Sequence, residues 1–598
     1  MRMRQQVLIP VAVIVVSGLA VLWQLRPDAQ SPAILSEVSL RQPEDQNDTS
    51  TQLSQAVFAD VTSASGVDFR YRNGEQAEYF TILESLGGGI AVLDYDGDGL
   101  LDFFATGGGG FGERTDAEIS GCAGRLYRNQ GDFRFQDVTA DCGLDTADMY
   151  SHGALCLDAD ADGWPDLLLT GYTGVQLYWN RQGHFERASE DSGLTDSRWS
   201  TSAAAADLWG QGKTDLFVCR YVDWSFLKDP VCPERGKSEG RDVCAPQNFL
   251  AVPSSLYRFD GSSFLDHWET IQPVSEGKAL GVVIADFNDD GRPDIYVAND
   301  ASANWLFLNE GQGGFRECAL EQGVAVDDNG DYNGSMGVDV GDFDDSGKAS
   351  IWVTNFESEL PALYRNTGSG GFAWQTQASG LGRLGGRNVG FGTAFVDFDN
   401  DGRQDLVFVN GHVVRYPRGA EFLQRPVLLR NVEIRGRQNF VNVSSAAGEW
   451  FLQPSRGRGL AKADLNNDGW PDLIVSHTEA PVTILRNLAT DSVRNHWLGL
   501  QLEGQNNRPL AGATVRVQLQ DGERQLTQFV KSGGSYLSSS DPRLVFGLGE
   551  ADQVVGITVR WPWGELQHWD ALDVDQYWLL SEGNAEAVPA AGTAIRQF

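Results

Sequence analysis

Positive charge is what this chain most lacks: 46 Lys and Arg stand against 82 Asp and Glu, a net charge of −36. Nucleic acid is excluded as a partner, because neutralising phosphates needs clustered Lys and Arg. Methionine is scarce at 4 residues and histidine at 7. No Gly-x-Ser-x-Gly, no His-Glu-x-x-His and no phosphate-cradling glycine loop ahead of a helix occurs, so the common nucleophile, zinc-protease and nucleotide signatures are missing. Seven cysteines are few for 598 residues. Cys232 and Cys244 bracket a Pro/Gly-rich insertion and read as one disulfide, with Cys122 and Cys142 as a second plausible pair. Cys156 and Cys219 read as buried thiols within strands, leaving Cys318 over.

Long apolar runs are also absent beyond the first thirty residues. There, Arg2 and Arg4 precede an apolar stretch from Val7 to Leu25, followed by Arg26 and Pro27. Nineteen mostly apolar residues just span a bilayer, and the flanking positive charge puts the N-terminus in the cytoplasm. The expectation is a periplasmic or extracellular protein anchored through residues 1–30, or secreted if that segment is cleaved. Residues 31–56 are polar and read as a tether.

What is abundant is glycine, 69 residues, and tryptophan, 17. Together with short apolar runs between turn residues, they describe an all-β chain. It repeats itself. An acidic loop between two short apolar strands reads Asp94-x-Asp96-x-Asp98-Gly-x-x-Asp102. It returns as Asp158/Asp160/Asp162/Asp166, Asp286/Asn288/Asp290/Asp294, Asp397/Asp399/Asp401/Asp405 and Asp464/Asn466/Asp468/Asp472. Two decayed copies start at Asp207, with Gln211 and Asp215, and at Asp342, with Asp344, Ser346 and Ser350. Each of the seven is followed by a Leu-Tyr-Arg-Asn phrase or a variant of it (Leu126, Leu177, Leu256, Leu306, Leu363, Leu428, Ile484). Six of these lead into a Phe-x-Asp-Val-Thr phrase or its remnant, at Phe135, Phe185, Phe264, Phe315, Phe372 and Phe440. The seventh lacks it, and the phrase appears ahead of everything as Phe58-Ala-Asp-Val-Thr.

That transposition predicts a ring. If each unit is a four-stranded blade, the N-terminal segment supplies the outer strand that the last blade lacks, and closure leaves no long unpaired edge. The expectation is a seven-bladed propeller over 57–490, with an open β-solenoid as the alternative. Residues 491–585 alternate as strands with glycine turns and read as a small β-sandwich-like domain, leaving 586–598 as a tail.

Asp-x-Asp-x-Asp-Gly places oxygens at positions one, three and five with a turn glycine at six, the opening of a calcium loop. Here it closes with a carboxylate at position nine, and the carbonyl of residues such as Leu100 or Trp164 is a further ligand candidate. Asp and Gly also make turns without metal. Five intact copies with three or four carboxylates each favour Ca²⁺, because such groups repel one another without a cation between them. Five occupied loops and two empty or weak ones are expected, since Gln211 and Ser346 remove charge and Lys213 and Lys348 add a cation.

These loops resemble the FG-GAP or VCBS repeats of integrin-α-type propellers. Further on, His496-Trp-Leu-Gly-Leu, Gly512-Ala-Thr-Val-Arg-Val, Ser532-Gly-Gly-Ser-Tyr-Leu-Ser, Phe546-Gly-Leu-Gly and Val559-Arg-Trp-Pro-Trp-Gly resemble an ASPIC/UnbV domain. The combination is similar to the cartilage-acidic-protein-1-like family. The decayed loops and the less glycine-rich Pro509-Leu-Ala-Gly depart from that pattern. The resemblance implies extracytoplasmic calcium binding and adhesion to a protein or glycan partner, with no established chemistry.

His412 and His477 lie where strands leave their acidic loops, opposite the carboxylates, in line with Gly107, Gly171, Arg220, Asn299 and Asn355; Asn410 precedes His412. Such a ring of polar residues either binds a ligand or merely satisfies loop backbone. The leading expectation is therefore a non-catalytic scaffold. A hydrolase or lyase of extracellular polymers that uses these histidines, and an envelope assembly factor, are the alternatives.

Overall fold

The computed structural model describes residues 53 and 55–596, apart from 235–239, 369–370, 490–492 and the single positions 272, 479, 521, 523, 591 and 593. The expected anchor and nearly all of the tether lie outside the described residues. Among the described residues no helix is long and apolar enough to cross a membrane.

Seven antiparallel sheets carry the repeats, each with four of the repeat strands. The first runs Ile90–Leu93, Asp102–Ala105, Arg125–Asn129 and Phe135–Asp137 from innermost to outermost. The last begins with Gly457–Ala463, Asp472–His477 and Thr483–Asn487. Its fourth strand is Phe58–Asp60, with Phe58 opposite Asn487 and Asp60 opposite Leu485. The displaced phrase thus fills the place its transposition predicts.

Consecutive sheets bury apolar side chains against each other. Phe287 and Tyr296 meet Val340 and Ile351, for example, and Leu155 and Leu168 meet Ala205 and Leu216. The series ends where it began: Ala461, Ile474 and Ile484 of the last sheet share a cluster with Ile90, Val92 and Phe103 of the first. Because each central strand is covered on both faces, it reads as an unbroken apolar run such as Ala-Leu-Gly-Val-Val-Ile-Ala at Ala279–Ala285.

The C-terminal region forms two further four-stranded sheets around Leu500, Val515, Val517, Ile557, Val559 and Trp561. One of them contains a parallel pair, His496–Glu503 beside Tyr577–Ser581. Between these sheets the chain leaves the domain at Ser532 and runs through the centre of the ring. All seven innermost strands bond to it. Ala205 N–H donates to Ser532 Oγ (2.8 Å), and Gly534 N–H donates to the Val282 carbonyl (2.8 Å). Val338 and Thr393 N–H groups donate to the carbonyl and hydroxyl of Ser535. Ser535 Oγ donates to the Leu460 carbonyl (2.7 Å). Ala154 N–H donates to the Leu537 carbonyl (3.0 Å), and Val92 N–H to that of Ser539 (3.1 Å). Innermost strands expose one row of backbone groups to the channel, and this segment satisfies part of that row away from water. Close approach requires small residues: a Cβ on Gly89 would lie 2.3 Å from the Leu537 carbonyl oxygen.

Only one of the two anticipated disulfides is present. Cys232 and Cys244 are bonded, with Cα atoms 5.3 Å apart. Cys122 and Cys142 are not disulfide-bonded. Cys142 packs with Tyr95 and Phe185 beside an acidic loop, whereas the Cys122 N–H donates to the carbonyl of Gly108, in a separate three-stranded sheet. Cys156, Cys219 and Cys318 are buried free thiols.

Candidate metal centres

Each acidic loop is built by its own first and ninth residues. Asp94 Oδ1 accepts from Asp98 N–H (3.1 Å) and Oδ2 from Gly99 N–H (3.0 Å), which folds the loop over its first carboxylate. Gly99 has φ +83°, so position six needs glycine. Asp102 Oδ2 accepts from Tyr95 N–H and Oδ1 from Asn129 N–H (2.7 Å), tying the loop to the third strand. Asp158 and Asp166 repeat the pattern with Gly163, Ala159 and Asn180. The decayed Asp207 loop keeps it with Gln211, Gly212 and Phe259.

Three loops converge as carboxylate triads: Asp94/Asp96/Asp102, Asp158/Asp160/Asp166 and Asp397/Asp399/Asp405. In each, one ligand oxygen per residue lies within 4.8 Å of the others. Asp98, Asp162 and Asp401 stand outside the triads; Asp98 Oδ1 accepts from Leu100 N–H and Asp162 Oδ1 from Trp164 N–H. In the two loops with asparagine at position three, Asn288 Oδ1 already accepts from Asp290 N–H (3.2 Å), and Asn466 Nδ2 donates to Asp468 (2.7 Å).

The residues fit a divalent cation on an observation independent of charge. The position-three oxygens Asp96 Oδ1, Asp160 Oδ1, Asp399 Oδ1 and Asn466 Oδ1 are buried and have no hydrogen-bond partner. Buried oxygens are rarely left so. The outer carboxylate oxygens are taken instead by arginines in the third-strand phrase, Arg128 on Asp96 (2.7 Å) and Arg430 on Asp399 (2.6 Å), or just after it, Arg181 on Asp160 (2.8 Å). One arginine against four carboxylates leaves the Asp94 loop about three charges in excess, and two such charges ~4 Å apart repel by about 4 kcal/mol at an effective dielectric near 20. Without a cation the carboxyls rise. Burial first, then repulsion from Asp162 and Asp160, pushes Asp158 up to about 7. Burial also pushes Asp94 up to about 6, Asp166 to about 8, and Asp286 and Asp464 to about 6. Burial likewise pushes Asp102, Asp294, Asp397, Asp405 and Asp472 well above the usual carboxylate range.

The C-terminal domain lies over these loops. Ile595 N–H donates to Asp94 Oδ2 (2.7 Å), so the last residues reach back into the ring. Asn507 reaches the Ala161 carbonyl, and Tyr577 OH donates to Asp464 Oδ2 (2.6 Å). Arg516 pairs with Asp289 (3.1 Å), and Arg524 donates to the Asp401 carbonyl. In the decayed loops, Trp563 Nε1–H donates to the Asp207 carbonyl (2.6 Å), while Asp344 and Asp345 face Arg365 and Arg524. Lys213 turns away to the Asp260 carbonyl. Asp344 Oδ1 is nevertheless unpartnered, as in the intact loops.

At the opposite end the strand-terminal polar residues are engaged in structure. Asn299, Asn355 and Asn410 donate to the carbonyls of Ala303, Leu360 and Arg425, and Arg220 donates to that of Arg198. His412 is fully buried; its Nδ1 accepts from Val414 N–H (3.0 Å), so the Nε2 proton faces Glu357 (3.3 Å). His477 meets Thr483 at 3.1 Å, and burial holds it down at about 4. The bland alternative, satisfaction of loop groups, describes these residues.

Two features carry no flag in the acidic motif. One is the threaded segment. The other is the phrase-ending asparagine, whose amide bridges neighbouring sheets: Asn180 to Tyr95, Asn309 to Leu208, Asn366 to Phe287, Asn431 to Phe343 and Asn487 to Phe398, all onto carbonyls at 2.8–3.0 Å. Its recurrence, and its loss at Phe259, were the available signals.

The chain carries FG-GAP-like repeats and a C-terminal ASPIC and UnbV domain: the FG-GAP-like repeat family matches residues 158–218 and 286–353, and the ASPIC and UnbV family matches 503–587. The chain is a distant homologue of cartilage acidic protein 1. It is 24% identical to the Xenopus tropicalis protein over 479 residues, 70% of this chain and 71% of that one. Against the Homo sapiens protein it is 24% identical over 491 residues, 70% and 69% of the two chains. Solved structures with partial likeness include an Agrocybe aegerita lectin that recognises non-reducing terminal N-acetylglucosamine (18% identity, 60% of this chain and 79% of that one, TM-score 0.36). The BP39L lectin of Burkholderia pseudomallei is another (11%, 67% and 96%, TM-score 0.39).

Proposed function

We propose that this protein is a non-catalytic, calcium-stabilised binding scaffold on the outer side of a membrane: a seven-bladed propeller whose channel is filled by its own C-terminal domain. The observation that carries the metal reading is the row of buried, unpartnered position-three oxygens beside converging carboxylates. Hard oxygen donors without Cys or His suit Ca²⁺. Asp94/Asp96/Asp102, Asp158/Asp160/Asp166 and Asp397/Asp399/Asp405 would hold the ion most tightly. The loops of Asp286 and Asp464 are weaker, because asparagine replaces a carboxylate and Arg292, Arg516 or Arg543 stands close by. Bound ions would offset the repulsion that otherwise strains the face on which the C-terminal domain sits.

A scaffold is favoured over a hydrolase because His412 and His477 are buried among partners instead of lining an open cleft. The Cys232–Cys244 bond fits an oxidising compartment. A protein or glycan partner would then meet the outer surface. The test is capture from envelope extract with and without a calcium chelator. One partner retained only with calcium supports the reading; turnover of a polymer, abolished by His412→Ala with the fold intact, would replace it with the enzyme.

A further inference from the structure

A cavity of about 80 Å³ lies inside the molecule, between the innermost strands Val338–Gly341, Gly390–Val396 and Gly457–Ala463 and the segment 527–544 of the C-terminal domain. A water needs roughly 10–15 Å³ on this measure, so the space holds several waters or one small polyatomic ion.

Of its six charged groups four form two ion pairs, Asp342 is held by backbone N–H groups, and one cation is left. Lys531 sits on Asp339 and donates to the Val340 carbonyl at 3.1 Å. Arg543 grips Asp541 through two nitrogens, at 3.0 and 2.9 Å, and donates to the Asp464 carbonyl. Asp342 accepts from Ser346 and Gly347 N–H groups. Lys462 remains. Its ammonium has three protons to donate; it donates one to the Phe395 carbonyl at 3.2 Å and, among the described residues, meets no carboxylate within ion-pair reach.

Several hydroxyls on the wall have a proton to donate as well. Thr527 is only 6% exposed, and its hydroxyl has no partner. Ser539 Oγ and Ser540 Oγ accept from Cys156 N–H and Lys462 N–H (both 3.1 Å), which leaves their own protons to donate. A half-buried ammonium beside hydroxyl donors, with the neighbouring carboxylates already occupied, is complementary to an anion.

We propose that this cavity binds a small oxyanion, inorganic or a short carboxylate, between the Lys462 ammonium and the hydroxyls of Thr527, Ser539 and Ser540. Enclosed by the C-terminal domain on one side and the ring on the other, the anion would be taken up as the two dock. It supplies the counter-charge that the Lys462 ammonium, bonded only to the Phe395 carbonyl, does not meet among the described residues.

The test uses the full chain at fixed calcium and ionic strength, exchanging chloride for sulfate or acetate and following the melting temperature. The expected result is a saturable rise for the native chain, lost in Lys462→Met and shifted to at least tenfold higher anion concentration in Thr527→Val. A response to sulfate alone marks an inorganic ligand, and one to acetate a carboxylate. Equal shifts in native and variant chains, or none, would overturn the proposal. Should Lys462→Met not fold, Thr527→Val decides, together with crystals grown in selenate: an anomalous peak with an ion oxygen within about 3.2 Å of Lys462 Nζ supports the site, and water alone there sinks it.

Discussion

The side-chain amide of Asn129 donates to the carbonyl of Leu465 at 2.8 Å, joining residues 336 positions apart. The same amide donates to Leu101 at 3.0 Å within its own sheet. It is the bond that ties the first sheet to the last, the equivalent of the five asparagine bridges elsewhere around the ring. Only the Asp207 sheet lacks one; there Phe259 stands in place of asparagine, and the Thr214 hydroxyl donates to the Asp158 carbonyl instead.

Asn129→Leu should therefore cost more than a surface substitution. It leaves two buried carbonyls without donors, each worth about 1–3 kcal/mol. A loss of about 2–4 kcal/mol in denaturant unfolding is expected, with the ring still closed by apolar packing. A loss below ~0.5 kcal/mol would mean that the bridge contributes nothing to closure.

Calcium removal should lower the melting temperature, since an ion bound only by the native state stabilises it by mass action. Calorimetric titration of the stripped protein should resolve about three tight sites ahead of the weaker ones. Asp160→Asn should remove one tight site and leave the other two unchanged. A melting curve indifferent to excess chelator would remove the structural role of the metal.

The ring was legible because its evidence is periodic: seven phrases in fixed order, with one transposed, predict both the sheets and the partner of Phe58–Asp60. The acidic loops were legible for the same reason, as ligand spacing within one loop is local. What remained hidden depends on contacts distant in sequence. Nothing in Ser532-Gly-Gly-Ser-Tyr-Leu-Ser shows that it would cross a channel made by strands up to 450 residues earlier. Cys122 and Cys142 are near in sequence yet pack in different places, one against Gly108 and the other against Tyr95 and Phe185, which spacing alone does not reveal. The asparagine bridges were written in the repeat, but an amide at a strand end reads as a turn residue until its neighbour's carbonyl is in place.

Proton competition gives a third expectation. In the metal-free protein Asp158 and Asp166 keep protons up to about 7 and 8, chiefly through burial, whereas an unfolded chain releases them near 3.8. The native state then binds more protons than the unfolded state between those values, so stability without metal falls as pH rises from about 4 to 8. Calcium takes the place of the protons, and its affinity rises over the same window. The gap in melting temperature between calcium and chelator should widen steadily from pH 5 to pH 8. A constant gap would show that these carboxyls are not the ligands.

The Cys232–Cys244 bond closes a short loop on an insertion that packs through Trp224, Val243, Cys244 and Phe249, away from the acidic face. Reduction should expose this insertion to protease and lower the main melting transition only modestly, because the insertion meets the ring only at inner-strand ends such as Leu280 and Phe391. A collapse of the whole transition would instead make the strap part of the ring's cooperative unit.

Tyr536 sets the strongest test of how the two parts depend on each other. It is fully buried at the inner end of the threaded segment, with its ring 4.9 Å from that of Phe391 at a steep angle. Truncating a buried aromatic costs about 3–5 kcal/mol. Here the cost falls on docking as well as on folding, since the backbone around Tyr536 supplies partners to strands of every sheet. Tyr536→Ala should lower the melting temperature and split one transition into two, the C-terminal domain released first and the ring after it. Adding calcium should raise the second transition in the variant, because the triads belong to the ring alone. If the variant still melts in one step at an unchanged temperature, the threaded segment fills the channel without holding the protein together.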